Sequence, residues 1–363
     1  MNTVSIAIME NRLRKFREKL KEKDYDAALI TKRENYIYIS GFTGSSAYLV
    51  ITQDDAILVT DFRYIEQAGM QAPLFKVTKY QGSLIIALND ILKEKGINSL
   101  GFEEAYITYE TYADYKEKLS VKELNPLGGI IENLRLSKDH SETEVIKKAV
   151  EVADNAFSHV LPYIKPGVSE LDIAAEIEYF MKKQGAKGPS FETIVASGER
   201  SSMPHGVASG RKLKLGDAIT LDYGALYNDY CSDMTRTVFL GNPCEELKKI
   251  YKIVLDAQIS ALNSTRSGMA AKDVDGVARE IINGSGYEKN FGHGLGHGVG
   301  LEIHEDPRLS PTGSSILQDG MVVTVEPGIY VEGLGGVRIE DIVVVNGDKP
   351  VVLTRSTKEM III

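Results

Sequence analysis

The chain has 363 residues, room for two domains at about 150 residues each. Its 51 acidic residues against 42 Lys and Arg leave a formal charge of −9, which excludes a dedicated nucleic-acid binder, since such proteins carry a basic excess. Two cysteines, Cys231 and Cys244, exclude a disulfide scaffold and suit a reducing compartment, and no run approaches the roughly 18 apolar residues of a membrane span. A cytoplasmic location is the expectation.

Met1 to Ile8 carry no basic leader region and read as a loose start. Asn11 to Lys23 predicts an amphipathic helix, with Leu13, Phe16 and Leu20 on one face. Four short apolar runs follow: Ala27–Ile30, Tyr36–Ile39, Ala47–Ile51 and Ala56–Thr60. They are mostly rich in β-branched or aromatic residues and bounded by Gly, Asn or Asp, so all four predict strands. Helical patterns return over 82–95 and 108–119. Alternating strands and helices predict an α/β layer domain over residues 1–130, with residues 131–363 forming a second domain.

Beyond the Gly128-Gly129 boundary, Ser141 and Glu144 have the spacing of a capping box, which opens a long helix to about Pro162. Ser169 and Asp172 open another, ending near Gly185. Pro166–Ala174 is echoed by Ser267–Asp275, each with a glycine before a helix start, which suits a pseudo-symmetric domain. Asp217–Gly224 and Tyr230–Phe239 alternate as strands, and Tyr227-Asn228-Asp229 is turn chemistry. A turn centred between 227 and 228 sets Asp222 opposite Asp233. A shift by one residue makes them diagonal neighbours. Like charges that close call for a cation between them.

Seven glycines fall between 284 and 300, alternating with His293 and His297, and His304 follows. Glycine admits a close backbone approach to a ligand and φ > 0. No lysine-bearing phosphate loop follows, so the run is neither a P-loop nor a dinucleotide fingerprint. Met321–Tyr330 and Gly336–Val345 predict apolar strands, each carrying one glutamate, Glu326 and Glu340. A carboxylate inside such a run is costly unless paired. Arg338 shares a strand face with Glu340. Two Asp, one His and two Glu form an oxygen-rich donor set that suits two Mn²⁺-like or Co²⁺-like ions rather than a thiolate zinc site. The four carboxylate charges balance two divalent ions.

On Asp222, Asp233, His297, Glu326 and Glu340, and on the stretches Tyr230–Thr237, His293–His297, His304-Glu305 and Glu326–Tyr330, the chain resembles the pita-bread metallopeptidases, in the proline peptidase branch of aminopeptidase P and prolidase. Gly41–Ser46 and Thr60–Tyr64 resemble that branch's creatinase-like N-terminal domain. Methionine aminopeptidases usually lack this domain, and creatinase lacks the metal ligands. The resemblance implies a creatinase-like α/β domain followed by an α+β pseudo-symmetric pita-bread catalytic domain. It also implies a homodimer and two divalent ions per subunit, Mn²⁺ first with Co²⁺ or Zn²⁺ as alternatives.

The resemblance further implies roles. Asp222 would chelate one ion, Asp233 and Glu340 would bridge both, and His297 and Glu326 would complete the other. A bridging hydroxide would attack the carbonyl before proline, with Glu326 as proton shuttle. His205 and His304 would hold the scissile carbonyl and the tetrahedral intermediate. His293 would line the proline pocket, and Arg338 would bond the site carboxylates, with Tyr330 beside them. Proline-containing peptides are the expected substrates. The leading expectation is an Xaa-Pro aminopeptidase. The alternative is an Xaa-Pro dipeptidase, for which Arg308 would clamp the free carboxylate. A pita-bread protein that only binds peptides is disfavoured by the intact ligand set.

Overall fold

A computed structural model describes residues 5–363, and the chain divides into two compact units, one ending at Arg135 and the other running Leu136–Ile363. The division falls after the helix 130–135 rather than before it. Arg135 of that helix donates to Asn35, whose amide reaches Glu103, so these residues belong to the first unit. Among the described residues no helix is long and apolar enough to cross a membrane.

The first unit alternates as expected. It comprises α1 (Ile6–Glu22), β1 (Ala27–Ile30), α2 (Arg33–Ser40), β2 (Tyr48–Thr52), β3 (Ala56–Thr60), α3 (Ile65–Gln71), β4 (Lys76–Lys79), α4 (Leu84–Glu94), β5 (Ser99–Phe102), α5 (Tyr109–Lys118), β6 (Glu123–Pro126) and α6 (Ile130–Arg135). The strands form one mixed sheet, ordered β4-β3-β2-β1-β5-β6. Two expectations fail here. Tyr36–Ile39 is helical, not a strand: all four side chains are buried, and a short buried apolar run carries no period to separate the two states. Residues 5–8 are not a loose start, because Ser5 caps α1 and Ile6 begins it. Met1 to Val4 of that expected leader lie outside the described residues.

The second unit repeats one motif twice. The first copy holds α7 (His140–Val160), α8 (Glu170–Lys183), β7 (Gly188–Pro189), β8 (Ile194–Ser197), β9 (Ala218–Tyr223), β10 (Ala225–Tyr227), β11 (Tyr230–Cys231) and β12 (Met234–Phe239). The second holds α9 (Glu245–Ser264), α10 (Ala271–Gly284), β13 (Gly296–Gly298), β14 (Glu305–Leu309), β15 (Val322–Val325), β16 (Gly328–Val331), β17 (Gly335–Arg338), β18 (Asp341–Val344) and β19 (Val351–Val352). The echo in the sequence is structural. Gly167 N–H donates to the Leu213 carbonyl as Gly268 N–H donates to that of Leu317, and Leu213 and Leu317 return bonds to Val168 and Met269. Apolar faces of α7 and α8 pack on β9 and β12 through Phe157, Ile173, Ile177 and Leu221. Those of α9 and α10 pack similarly on β15 and β18 through Val254, Val274, Val323 and Val343.

The cap of α7 lies two residues before the expected one. Asp139 accepts from the Glu142 amide and Glu142 from that of Asp139, while Ser141 only donates to Asp139. The expected strand Asp217–Gly224 holds as β9, but the other three long strands of the sequence reading are interrupted. The pairs β9/β10 and β11/β12 split near Gly224 and Ser232, where a Cβ on Gly224 would sit 1.7 Å from the Ser232 carbonyl oxygen. The pair β15/β16 breaks at Glu326-Pro327, and β17/β18 at Ile339-Glu340.

Behind the second break lies a buried charge cluster. Arg236, 1% exposed, donates to Asp341 at 2.7 Å and to the carbonyls of Glu340, Ser356 and Thr357. Asp341 also accepts from Gln258 and Lys358. Removing one member leaves the other charge buried and less well paired. Arg236→Met is therefore expected to cost about 3–5 kcal/mol, read as a lowered urea midpoint.

Candidate metal centre

The four expected carboxylate ligands stand at or beside the strand interruptions, and all five expected ligands line one cavity of about 510 Å³ in the second unit. Asp222 is the penultimate residue of β9. Asp233 lies just before β12. Glu326 and Glu340 sit one residue outside the paired ends Val325 and Asp341 of β15 and β18. The aspartates do not face each other: Asp222 pairs with Thr235, so Asp233 is its diagonal neighbour. The cause is the turn, which centres on Asn228-Asp229, both at positive φ (47° and 67°) as a two-residue type I′ hairpin requires. His297 is carried by β13. The glycines around it serve close packing on the protein's own backbone rather than φ > 0: a Cβ on Gly296 would lie 2.1 Å from the Thr324 carbonyl oxygen.

Asp233, His297 and Glu340 each present a ligand atom within 4.8 Å of the others. The His297 Nδ1 faces the Gly298 carbonyl at 3.1 Å. A carbonyl only accepts, so Nδ1 carries the proton and the Nε2 lone pair is free for a cation. That Nε2 lies 3.3 Å from Glu326 Oε1 and 3.6 Å from Asp233 Oδ2, an arrangement of electron pairs that a positive ion relieves. Asp222 Oδ1 and Glu340 Oε1 are buried and have no hydrogen-bond partner among the described residues. Unsatisfied buried carboxylate oxygens are costly. The donor set and these two orphaned oxygens fit divalent ions.

The electrostatics agree. Burial raises the Asp222 carboxyl above its ordinary range, against the pull of Arg338. Burial and the neighbouring carboxylates push Asp233 and Glu340 well above it. Burial opposes the Glu326 charge too, but the hydrogen bond and charge that a proton on His297 Nε2 supplies in the metal-free site lower its pKa to about 2; a cation at Nε2 would take that proton's place.

Threonines and one arginine brace the cage. Thr235 donates to Glu340 Oε2 at 2.7 Å and accepts from Arg338 Nε at 3.0 Å. Thr324 donates to Glu326 Oε1 at 3.2 Å and accepts from the His297 amide. Arg338 donates to Asp222 Oδ2 at 2.5 Å, to the Pro204 carbonyl and to the Tyr330 hydroxyl. These threonines were not among the expected site residues, because nothing in the sequence marks an ordinary strand threonine. Tyr330 does not line the cavity. Its hydroxyl stands behind it, 2.9 Å from His293 Nε2 and 2.8 Å from Arg338. The His293 Nδ1 meets the Gly294 carbonyl at 2.8 Å, which fixes a chain of donation from Arg338 through Tyr330 to His293.

His205, His293, His304, Arg308 and Arg338 all line the cavity. His304 stands edge-on to His297 with ring centroids 4.4 Å apart. Burial and the nearby His297 and Arg308 lower its pKa to about 4, and burial also lowers that of His293. Both rings are thus neutral near pH 7. Arg308 is exposed and makes no ion pair or side-chain hydrogen bond among the described residues. Phe191, Glu192 and Ile303, which the sequence reading did not single out, also line the cavity.

Residues 144–347 match Metallopeptidase family M24, and residues 12–137 match the Creatinase/Prolidase N-terminal domain. A solved structure titled Xaa-Pro dipeptidase from Bacillus anthracis is 44% identical, superposes with a TM-score of 0.96, and is matched over 98% of this chain and 100% of that one. An Xaa-Pro dipeptidase of Pyrococcus furiosus is 42% identical over 97% of this chain and 100% of its own length. The X-Pro aminopeptidase structure from Thermotoga maritima MSB8 is 38% identical with a TM-score of 0.90, over 95% of this chain and 100% of that chain. With an N-terminal creatinase/prolidase domain and a pita-bread catalytic domain, the chain belongs to metallopeptidase family M24.

Proposed function

We propose that the chain is an Xaa-Pro dipeptidase. This reverses the order of the two readings drawn from sequence, in which the aminopeptidase came first. The observation that carries it is Arg308, an uncommitted guanidinium on the wall of the metal cavity. A dipeptide ends in a carboxylate directly after proline, and a guanidinium binds that group in a bidentate fork. The names of the Bacillus and Pyrococcus relatives support the same reading. The Thermotoga relative keeps the aminopeptidase as the second reading. A cytoplasmic homodimer, expected from composition and resemblance, is part of the proposal.

In this reading Asp222, Asp233, His297, Glu326 and Glu340 hold two divalent ions, Mn²⁺ first, with Co²⁺ or Zn²⁺ as alternatives. Bound there, such ions supply Lewis acidity and a nucleophilic water at neutral pH. Glu326, ionised at neutral pH, takes the proton released by the attacking water and passes it to the prolyl nitrogen as the C–N bond breaks. His304 and His205 direct N–H groups at the scissile carbonyl oxygen, where negative charge develops. His293, held neutral by burial and oriented by Tyr330, lines the proline ring's place. Since the Xaa–Pro amide lacks an N–H, a site that grips the terminal carboxylate and the carbonyl needs no strand-like pairing with substrate.

Three outcomes test this. Dialysis against a chelator should abolish Xaa-Pro cleavage, and added Mn²⁺ or Co²⁺ should restore it; full activity in a metal-free sample would remove the mechanism. In the metal-free fold Asp222, Asp233 and Glu340 are raised, so their contribution to stability is present below the unfolded carboxylate range and is lost as pH climbs through their folded values. Cations favour the ionised forms. The thermal midpoint gained on adding metal should therefore be larger at pH 8 than at pH 5, and an equal gain would contradict the assigned cage. Finally, Arg308→Ala should raise KM for Ala-Pro by about tenfold, the value of one charge-assisted contact. Ala-Pro-Ala should be a poor substrate of both proteins. Equal turnover of the tripeptide by the unsubstituted enzyme would restore the aminopeptidase reading.

A further inference from the structure

The loop that carries His205 is organised around a buried carboxylate that peptide hydrolysis does not use. Glu170 opens α8 and is 0% exposed. It accepts five hydrogen bonds, all from residues 197–209. Oε1 takes the amide and hydroxyl of Ser197 at 2.8 and 2.7 Å. Oε2 takes the amide and hydroxyl of Ser209 at 3.0 and 2.6 Å, together with the Arg200 guanidinium. The other arm of Arg200 donates to the Val207 carbonyl at 2.8 Å. One carboxylate thus grips the start and the end of the loop and, through Arg200, its far side. Between these points the loop bonds largely to itself, from Met203 to Arg200, Gly206 to Met203 and Val207 to His205; outside it, Ser201 accepts from the Gly336 amide, the Pro204 carbonyl accepts from Arg338, and Val207 bridges to Ile194.

The pseudo-symmetry argues that this brace serves the loop rather than the helix. The position in α10 that corresponds to Glu170 is Ala271, so the fold itself does not demand an acid there. The other histidine-bearing loop is nevertheless held the same way from a different position. Asp275 pairs with Arg279 and accepts the Leu295 amide, and Arg279 donates to the Phe291 and His293 carbonyls. Each half has placed a buried acid–arginine pair under a loop whose histidine faces the cavity.

We propose that Glu170 is a positioning residue for His205, holding the 197–209 loop so that the imidazole meets the scissile carbonyl. The proposal rests on the role given to His205 above. A glutamine at 170 keeps one acceptor but turns an N–H toward donors and strips Arg200 of its counter-charge.

A double-mutant cycle on the full-length, metal-loaded enzyme with Ala-Pro tests it. Glu170→Gln alone is expected to lower kcat by on the order of tenfold or more, the scale of a small misplacement of a reacting group, with a much smaller change in KM. His205→Ala alone should also lower kcat, and adding Glu170→Gln to it should cost less than about twofold, because coupled residues are not additive. Metal affinity, read by titrating metal-free protein, should be unchanged by Glu170→Gln, since the loop holds none of the five cage residues. An equal loss in both backgrounds, an intact kcat, or weakened metal binding would overturn the proposal. Should Glu170→Gln fail to fold, Ser209→Ala deletes one of the five bonds and runs the same cycle at about threefold. His205→Ala with unaltered kcat would instead strike the His205 role itself, and the proposal with it.

Discussion

Four carboxylates and an imidazole lone pair crowd into one largely buried cavity, and the second unit is arranged to keep that self-repelling cluster in place. The protein offset is small: Arg338 bonds Asp222, while Thr235 and Thr324 each give one hydroxyl. Burial of unneutralised carboxylates is among the costlier things a fold can do, so the cage stores an affinity for cations in its own electrostatics. The strand interruptions are part of that arrangement. A residue in the middle of a ladder commits its backbone to neighbours and its side chain to one face. A residue at a break can turn its carboxylate inward while the flanking strands stay paired, as Glu326 and Glu340 do beside β15 and β18.

The duplicated motif explains how these groups converge from distant parts of the chain. Two helix pairs pack on two sets of strands, and each set delivers carboxylates at its broken end. His297 comes from β13, and the other cavity histidines, His205, His293 and His304, are added by loops rather than by the sheets. Loops need their own anchors, because their amides are not satisfied by a ladder. Here those anchors are buried acids paired with partly exposed arginines, with the buried pair of Lys138 and Glu305, 1% and 6% exposed, doing comparable duty beside His304.

Much of this was legible in the sequence, and for a physical reason. A carboxylate inside an apolar run is an anomaly that calls for a partner, which is why Glu326 and Glu340 stood out, and alternating Gly and His is an equally poor recipe for a core. Helices α1, α4 and α5 followed from periodicity, α7 and α8 from their capping signatures and several strands from short apolar runs, while α3, α6, α9 and β4 to β6 drew no expectation. Tyr36–Ile39 did not follow, because a four-residue buried run has no usable period. Thr235, Thr324 and Glu170 were illegible for a different reason. Each is an ordinary residue in an ordinary place, and its importance arises only when folding sets it against partners far along the chain. The Asn228-Asp229 turn lies between these cases: the turn was readable, but its centre, and with it the pairing of Asp222, was fixed by which two residues adopt positive φ.

That turn carries a further consequence. Because side chains alternate across a strand, a shift of one residue reverses inside and outside for everything beyond it. The interval between Asp222 and Asp233 therefore works as a ruler, measuring out chain until the second carboxylate arrives on the side of the first. Residues within 224–232 can be exchanged as long as the turn and the close backbone crossing at Gly224 survive. Insertion or loss of a single residue would keep every chemical group in the gene product and still deliver one of them to the wrong side of the sheet. Count, more than composition, is what this hairpin contributes.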